Sequence, residues 1–299
     1  MVTTSRVRGS LFIAASLIIS LSASGGHQHG TDVSTSHHGA VRSCDDWSVR
    51  IDGKNALVSS ETIEVAGSTL SVDAAKNGGA SIRGGSGRGF SVTLCRAAGE
   101  SLGSSALSQI RLERSGDTIS VDGPSGNAWA AHLIITAPAG ATLRASATNG
   151  PVDASDFDGS LDLDATNGPI SLENVRGTIS ATTTNGPLSL KDGSGEVSLK
   201  ANNGPVTVRL SSPAWTGQSL EASSVNGPLS FAVPRGFTSG VEIRSAGHAP
   251  WHCPESLCGA TARMWNDDRD EDKVVRFGGA TPIVRLSTEN GPISVKERD

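Results

Sequence analysis

The sequence predicts an all-β protein whose centre is a β-solenoid, parallel β-helix-like, built from 18-residue coils of two strands each. Three observations predict it. An Asn-Gly-Pro tripeptide recurs, glycine returns every nine residues through the same stretch, and apolar side chains alternate with polar ones between the glycines. Composition agrees. Of 299 residues 36 are glycine, 4% are aromatic and none is tyrosine, which suits short strands and tight turns.

The tripeptide falls at 149–151, 167–169, 185–187 and 203–205, a spacing of 18, and returns at 226–228 and 290–292 after gaps of 23 and 64. Its corner residues are Asn149, Gly150, Asn167, Gly168, Asn185, Gly186, Asn203, Gly204, Asn226, Gly227, Asn290 and Gly291. Two residues after each glycine of the nine-residue series stands Val152, Leu161, Ile170, Ile179, Leu188, Val197 or Val206. Two further on stands Ala154, Leu163, Leu172, Ala181, Leu190, Leu199 or Val208, with polar residues between. A five-residue strand with one apolar face cannot bury that face alone. Stacking coils about 4.8 Å apart turns the apolar positions into continuous columns. Glycine permits the corner backbone, asparagine can bond along the stack, and proline opens a strand where a missing donor costs least. Phe157 and Val175 are expected to fill one side of the core, and Thr166, Thr184 and Asn202 the equivalent place on the other.

The remaining segments follow in chain order. Residues 1–24 read as a signal peptide: Arg6 and Arg8, an apolar run from Leu11 to Leu21, then Ser22-Ala23-Ser24. The run is too short to span a bilayer, so no integral membrane segment is expected in the mature chain. Residues 25–43 are a His/Ser/Gly-rich flexible linker carrying His27, His29, His37 and His38. A metal-binding periplasmic role for these histidines is weighed against a solvated tail, and the tail is preferred. Residues 44–145 form short strands that cap one end of the stack, with a hairpin from Ile110 to Val121 and one short helix within Ser101–Gln109. Residues 146–299 hold the repeats, with an insert at 245–280.

Four cysteines in an exported chain favour disulfides. Of three connectivities the local one is preferred, Cys44 with Cys95 and Cys253 with Cys258, which makes 245–280 a disulfide-stapled insert. Cleavage after Ser24 removes two arginines and no acid, lowering the formal net charge from −5 to −7. That argues against a nucleic-acid partner.

The run from Asn167 to Pro187 resembles the bacterial putative-adhesin family, a domain of unknown function made of β-strand repeats, and Thr288 to Val295 is similar to its terminal strand. The resemblance covers about 130–295 and extends back to about 46. It implies an exported or surface β-solenoid. It carries no catalytic residues over, and it gives the insert no role.

No catalytic residue, metal site or cofactor is assigned. Calcium β-rolls need a carboxylate-lined Gly-Gly-x-Gly-x-Asp loop, which Thr-Asn-Gly-Pro is not. Asp153, Asp156, Asp158, Asp162 and Asp164 are the only acidic cluster in the repeats. They are the residues of an alternative reading as a carbohydrate-active enzyme on a β-helix scaffold. Glu173, Lys191 and Arg209 should stack in one outer column. Trp251 and Trp265, in the stapled insert, are the candidate binding residues. The weighed alternative is that they pack over the end of the stack as a cap. The function expected is a non-catalytic, exported envelope-associated or secreted adhesin-like protein, in periplasm, at the surface or free. Its expected partner is a cell-envelope glycan or protein.

Overall fold

A computed structural model of the protein describes residues 31–37, 40–246, 250–259 and 273–298. The signal peptide expected at 1–24, His27, His29, His38, Trp265 and the acidic run Asp267–Asp272 lie outside those residues. The described chain is all-β, with short 3-10 turns and one four-residue helix, Glu255–Cys258.

The strands form two ladders. In the first, Thr69–Asp73, Ala141–Ala147, Asp158–Ala165, the second halves of Ile170–Asn185 and Leu188–Asn203, Ser219–Asn226, Pro282–Thr288 and Gly240–Ser245 run side by side and parallel. In the second the parallel order is Trp129–Ala137, Gly78–Gly84, Val152–Ser155, the first halves of the same two long strands, Val206–Arg209, Leu229–Pro234, Ile293–Arg298 and Trp251–His252. Antiparallel strands finish the ends: Arg111–Ser115 on Thr118–Asp122, Gly89–Ala98 between Leu57–Ala66 and Trp129–Ala137, and Lys273–Phe277 on Gly240–Ser245.

Through the repeats the register offset is 18: Ile170 faces Leu188 and Ile179 faces Val197. The apolar columns of both ladders meet in one buried cluster, with Val152, Leu163, Ile170, Leu188 and Val206 at 0% exposure. Phe157 and Val175 close one side of it, at 1% and 0%. Thr166, Thr184 and Asn202 do not close the other side, because they are exposed. The period-two alternation instead brings the preceding residue inward. Its column is Ala147, Ala165, Thr183, Ala201, Ser224 and Thr288, all buried. The hydroxyls in it are satisfied by corner carbonyls: Thr183 donates to Gly168 O (3.2 Å), Ser224 to Gly204 O (3.0 Å) and Thr288 to Gly227 O (3.4 Å).

Two ends of the stack depart from chain order. Pro282–Arg298 lies between the repeat 219–234 and the strands 240–252 in both ladders. At the other end Thr69–Gly84 lies between strands of 118–137 and 141–155. The gaps of 23 and 64 between tripeptides are therefore excursions that return to register: Asn203 faces Asn226, and Leu229 faces Ile293.

The linker reading of 25–43 is corrected in part. Val33–His37 is a strand, antiparallel to Trp47–Ile51, and Lys54–Asn55 completes a three-stranded sheet. Its Val-Ser-Thr-Ser stretch alternates enough to pair with Trp47–Ile51, whose Trp47, Val49 and Ile51 are buried in a second cluster with Val41, Cys95, Ala97 and Ala130. The helix expected within Ser101–Gln109 is two 3-10 turns, Glu100–Leu102 and Ser104–Gln109, broken at Gly103 with φ +72°.

Candidate binding surface

Two corners of the stack carry columns of polar side chains, one of them linked throughout. Along the Asn-Gly-Pro corner, Asn167 Nδ2 donates to Asn149 Oδ1 (2.9 Å), Asn185 to Asn167 (2.9 Å), Asn203 to Asn185 (3.0 Å), Asn226 to Asn203 (2.9 Å) and Asn290 to Asn226 (3.0 Å). A carboxamide carries both a donor and an acceptor, so identical residues one repeat apart can chain without limit. The glycines beside them pack backbone on backbone. A Cβ on Gly168 would lie 2.0 Å from Gly150 O, and one on Gly186 would lie 2.2 Å from Gly168 O.

A second column stands at another corner. Asp156, Asn174 and Asp192 all take positive φ, at +52°, +53° and +57°. Asn174 Nδ2 donates to Asp156 Oδ1 (2.8 Å), and Asp192 accepts from the Ser211 amide (2.6 Å) and hydroxyl (2.9 Å). Asp and Asn tolerate the left-handed region better than other non-glycine residues. Their spacing of 18 was visible in the sequence, but the alternation of Asp and Asn hid it. A groove of about 470 Å³ opens beside this corner, bordered by Arg176, Asp192, Ser211 and Trp215. Trp215 is buried and donates its indole N–H to Gly195 O (3.2 Å), so it forms wall rather than platform.

The outer face of the first ladder carries a charged network at its far end. Glu242 has a side chain only 5% exposed, and it accepts from Arg244 (2.8 Å) and Arg276 (2.6 Å). These two bonds, Arg244's first, hold its carboxyl below the usual glutamate range. Arg285 pairs with Glu221 at 3.1 Å, and with Lys200 these groups border a groove of about 370 Å³. In the outer column expected for Glu173, Lys191 and Arg209, Lys191 bonds Glu173, and that bond raises the lysine's pKa.

The acidic residues of 153–164 are divided among both ladders and a corner. Asp153 stands on the second ladder, Asp162 and Asp164 on the first, and Asp156 in the corner column. Asp162 is held by Arg144 at 3.1 Å. Asp153 is buried at 9% exposure beside residues distant in sequence: Ser81 Oγ donates to Asp153 Oδ2 (3.3 Å) and lies 2.9 Å from His132 Nε2. Ser81 thus bonds the Asp153 carboxyl directly, and the tautomer of His132 sets which partner donates in the other contact. Ser81 and His132 are 5% and 1% exposed, and the Trp47 ring lies 6.0 Å from the imidazole, so the group is closed to substrate. The sequence hid this cluster because its members come from three strands, at 81, 132 and 153. Among the described residues no group of three or more His, Cys, Asp or Glu is placed to hold a metal.

Both disulfides form in the expected pairing, Cys44–Cys95 and Cys253–Cys258. Such bonds persist in oxidising compartments such as the cell envelope and exterior. Trp251 pairs in register with Ile293 and packs, half-buried, on the core cluster. Its side chain continues the inward column because Trp251-His252 runs parallel to Ile293-Ser294, with Ile293 N bonded to Pro250 O (3.0 Å). It is therefore not an exposed platform on a loop.

No protein-family model and no curated protein matches the chain. Solved structures similar to it include a putative cell adhesion protein from Clostridium sporogenes, at 12% identity and TM-score 0.31, covering 81% of this chain and 100% of that one. Others are putative adhesins from Bacteroides fragilis, at 9% and 0.38, and Parabacteroides distasonis, at 10% and 0.33, each covering 81% of this chain and 97% of the other. At these identities and TM-scores the likeness assigns no activity. No helix among the described residues is long and apolar enough to cross a membrane.

Proposed function

We propose that the chain is a non-catalytic, adhesin-like β-repeat protein, exported to the envelope or beyond, whose two ladders are the faces of a β-solenoid serving as a rigid binding platform. The observation that carries this reading is a row of half-exposed hydroxyls on the second ladder. Ser171, Ser189, Thr207, Ser230 and Ser294 stand in successive register, one per repeat. Strand spacing sets them about 4.8 Å apart. A regular row of donors and acceptors on a rigid face suits a repetitive envelope partner, a glycan or an extended protein segment. The row is flat and open, which suits contact rather than enclosed chemistry. The leader at 1–24 delivers the chain to an oxidising compartment, where its two disulfides form. Trp265, which follows the Cys253–Cys258 staple in sequence, adds an aromatic contact.

The test is co-sedimentation of the mature protein with isolated cell-envelope fractions. Saturable binding is expected. It should weaken tenfold or more when Thr207→Lys and Ser230→Lys disrupt the row, and less when Trp265→Ala removes the aromatic. Absence of wild-type binding to every fraction would overturn the platform reading. Binding indifferent to the row but lost with Trp265→Ala would move the contact to the insert.

A further inference from the structure

The segment Pro282–Arg298 has no sequence neighbour beside it in either ladder. Pro282–Thr288 lies between Ser219–Asn226 and Gly240–Ser245, and Ile293–Arg298 lies between Leu229–Pro234 and Trp251–His252. The two repeats that flank it are joined to each other directly through residues 235–239. They are held apart by the thickness of the segment, so without it they would enclose a slot one strand wide. That slot has unpaired backbone on both walls and an open apolar floor.

The segment fits the slot on every side. Val284, Leu286, Ile293 and Val295 are at most 1% exposed within the common core. Asn290 joins the asparagine column through Asn226, and Arg285 pairs with Glu221 on one wall. Ser256 donates to Glu297 at 2.7 Å. None of these bonds depends on which chain supplies the segment.

The route into the slot is tight. Lys273–Phe277 pairs on the outer edge of Gly240–Ser245, and the chain then crosses the start of that strand to reach its inner edge. At the crossing a Cβ on Gly240 would lie 2.2 Å from Thr281 O, and one on Gly278, where φ is +76°, would lie 2.3 Å from Ser239 O. Glycine alone admits that approach.

We propose that Pro282–Arg298 is an exchangeable donor segment: it closes its own chain's slot or that of a second copy, with 278–281 as the hinge and Lys273–Phe277 remaining on its own chain. Exchange keeps the ladder bonds and core contacts and releases the close crossing at Gly240. Intramolecular closure is favoured at low concentration by its high effective concentration, and exchange is favoured when chains fold together at high concentration. The partner surface is thus the slot, and the partner is another copy of this chain.

The experiment co-refolds two full-length mature chains from urea with native disulfides intact, one carrying Ser230→Cys and the other Ser294→Cys. These positions face each other across the ladder, within disulfide reach. Mild oxidation after refolding should give a covalent heterodimer whose yield rises with refolding concentration. Gly278→Ala should raise it several-fold by disfavouring the crossing. Ser180→Cys with Ser294→Cys is the control, since those positions lie on different ladders. A single chain carrying both Ser230→Cys and Ser294→Cys should cross-link internally when refolded dilute. The proposal fails if heterodimer never exceeds the control at any concentration while circular dichroism shows folded chains. That failure leaves envelope binding by the monomer unaffected.

Discussion

Gly186→Ala tests the stacking argument most directly, because the conformation and the contact can be separated. Gly186 has an ordinary backbone angle, so alanine itself is permitted there. What forbids it is the neighbouring repeat: the added Cβ would lie 2.2 Å from Gly168 O. Ordinary contact begins near 3.4 Å, so the two repeats must part by about 1 Å at that corner. The separation loads the bonds that cross it: Asn185 N to Thr166 O (2.8 Å), Ile170 N to Pro187 O (2.9 Å) and the Asn185–Asn167 side-chain bond (2.9 Å). Weakening two or three bonds at about 1 kcal/mol each, and loosening the core beneath them, gives a cost of about 3–5 kcal/mol. Gly116→Ala is the converse. There φ is +62° but nothing lies within 4 Å, so only the left-handed backbone is penalised, by about 1–2 kcal/mol. Urea unfolding followed by tryptophan fluorescence compares the two midpoints. If Gly186→Ala unfolds at the same or higher urea than Gly116→Ala with an unchanged slope, close stacking at this corner is not what requires glycine.

Three further outcomes follow. Asn185→Asp removes the donor to Asn167 while keeping the acceptor for Asn203, so it should cost about 1–2 kcal/mol at pH 7. Ionised in that place the carboxyl is disfavoured, which raises its folded pKa, so urea unfolding should show the deficit shrinking as pH falls toward about 3.9, where the group regains a proton to donate. Glu242→Gln loses the pairing to two arginines whose side chains are 63% and 64% exposed and can return to water, so about 1–2 kcal/mol is expected at neutral pH rather than the larger cost of a stranded buried charge. Because the folded carboxyl titrates below its unfolded value, near 4.3, its contribution is complete above that pH and disappears as pH falls through the folded value. The difference from wild type in urea midpoint should therefore narrow in acid. Replacing Cys44 and Cys95 with alanine opens a separation of 51 residues, and replacing Cys253 and Cys258 opens one of 5. Loop entropy predicts losses of about 4 and about 2 kcal/mol, so thermal unfolding should rank the first variant well below the second.

The repeat was legible where identical residues serve identical positions. Asn-Gly-Pro at constant spacing exposes a corner because each asparagine needs another above it, and each glycine needs the one below. The Asp156–Asn174–Asp192 column obeys the same spacing but its residue type changes with the contact made: Asn174 donates while Asp156 and Asp192 accept, and both types tolerate the backbone. Thr183, not Thr184, is the buried threonine because the alternation from Ile179 and Ala181 continues inward through the corner. Trp251 follows no spacing of 18, so its place in the second ladder was not legible in the sequence. Only its parallel pairing with Ile293 shows that Pro250-Trp251-His252 repeats the strand start Pro292-Ile293-Ser294. The Ser81–His132–Asp153 group was out of reach of any local pattern.

The long gaps between tripeptides have a physical reading that the regular repeats conceal. A stacked strand pair is specified by its two neighbours, through ladder bonds and apolar columns, and not by the chain that leads to it. Asn226 therefore joins Asn203 after 23 residues as well as Asn203 joins Asn185 after 18, at 2.9 and 3.0 Å. Asn290 joins Asn226 after 64 residues at 3.0 Å. The same indifference lets Thr69–Gly84 and Pro282–Arg298 enter the stack between strands that are remote in sequence. It also creates a hazard, because any correctly patterned segment can occupy a vacant position, whichever chain carries it. Sequence-remote closure counters this at both ends: each intercalated segment is covered by a further strand, Gly240–Ser245 over Pro282–Thr288 and Trp129–Ala137 over Gly78–Gly84. The covering strands are in turn paired with antiparallel neighbours, Lys273–Phe277 and Gly89–Ala98, whose direction breaks the parallel register on which further stacking depends.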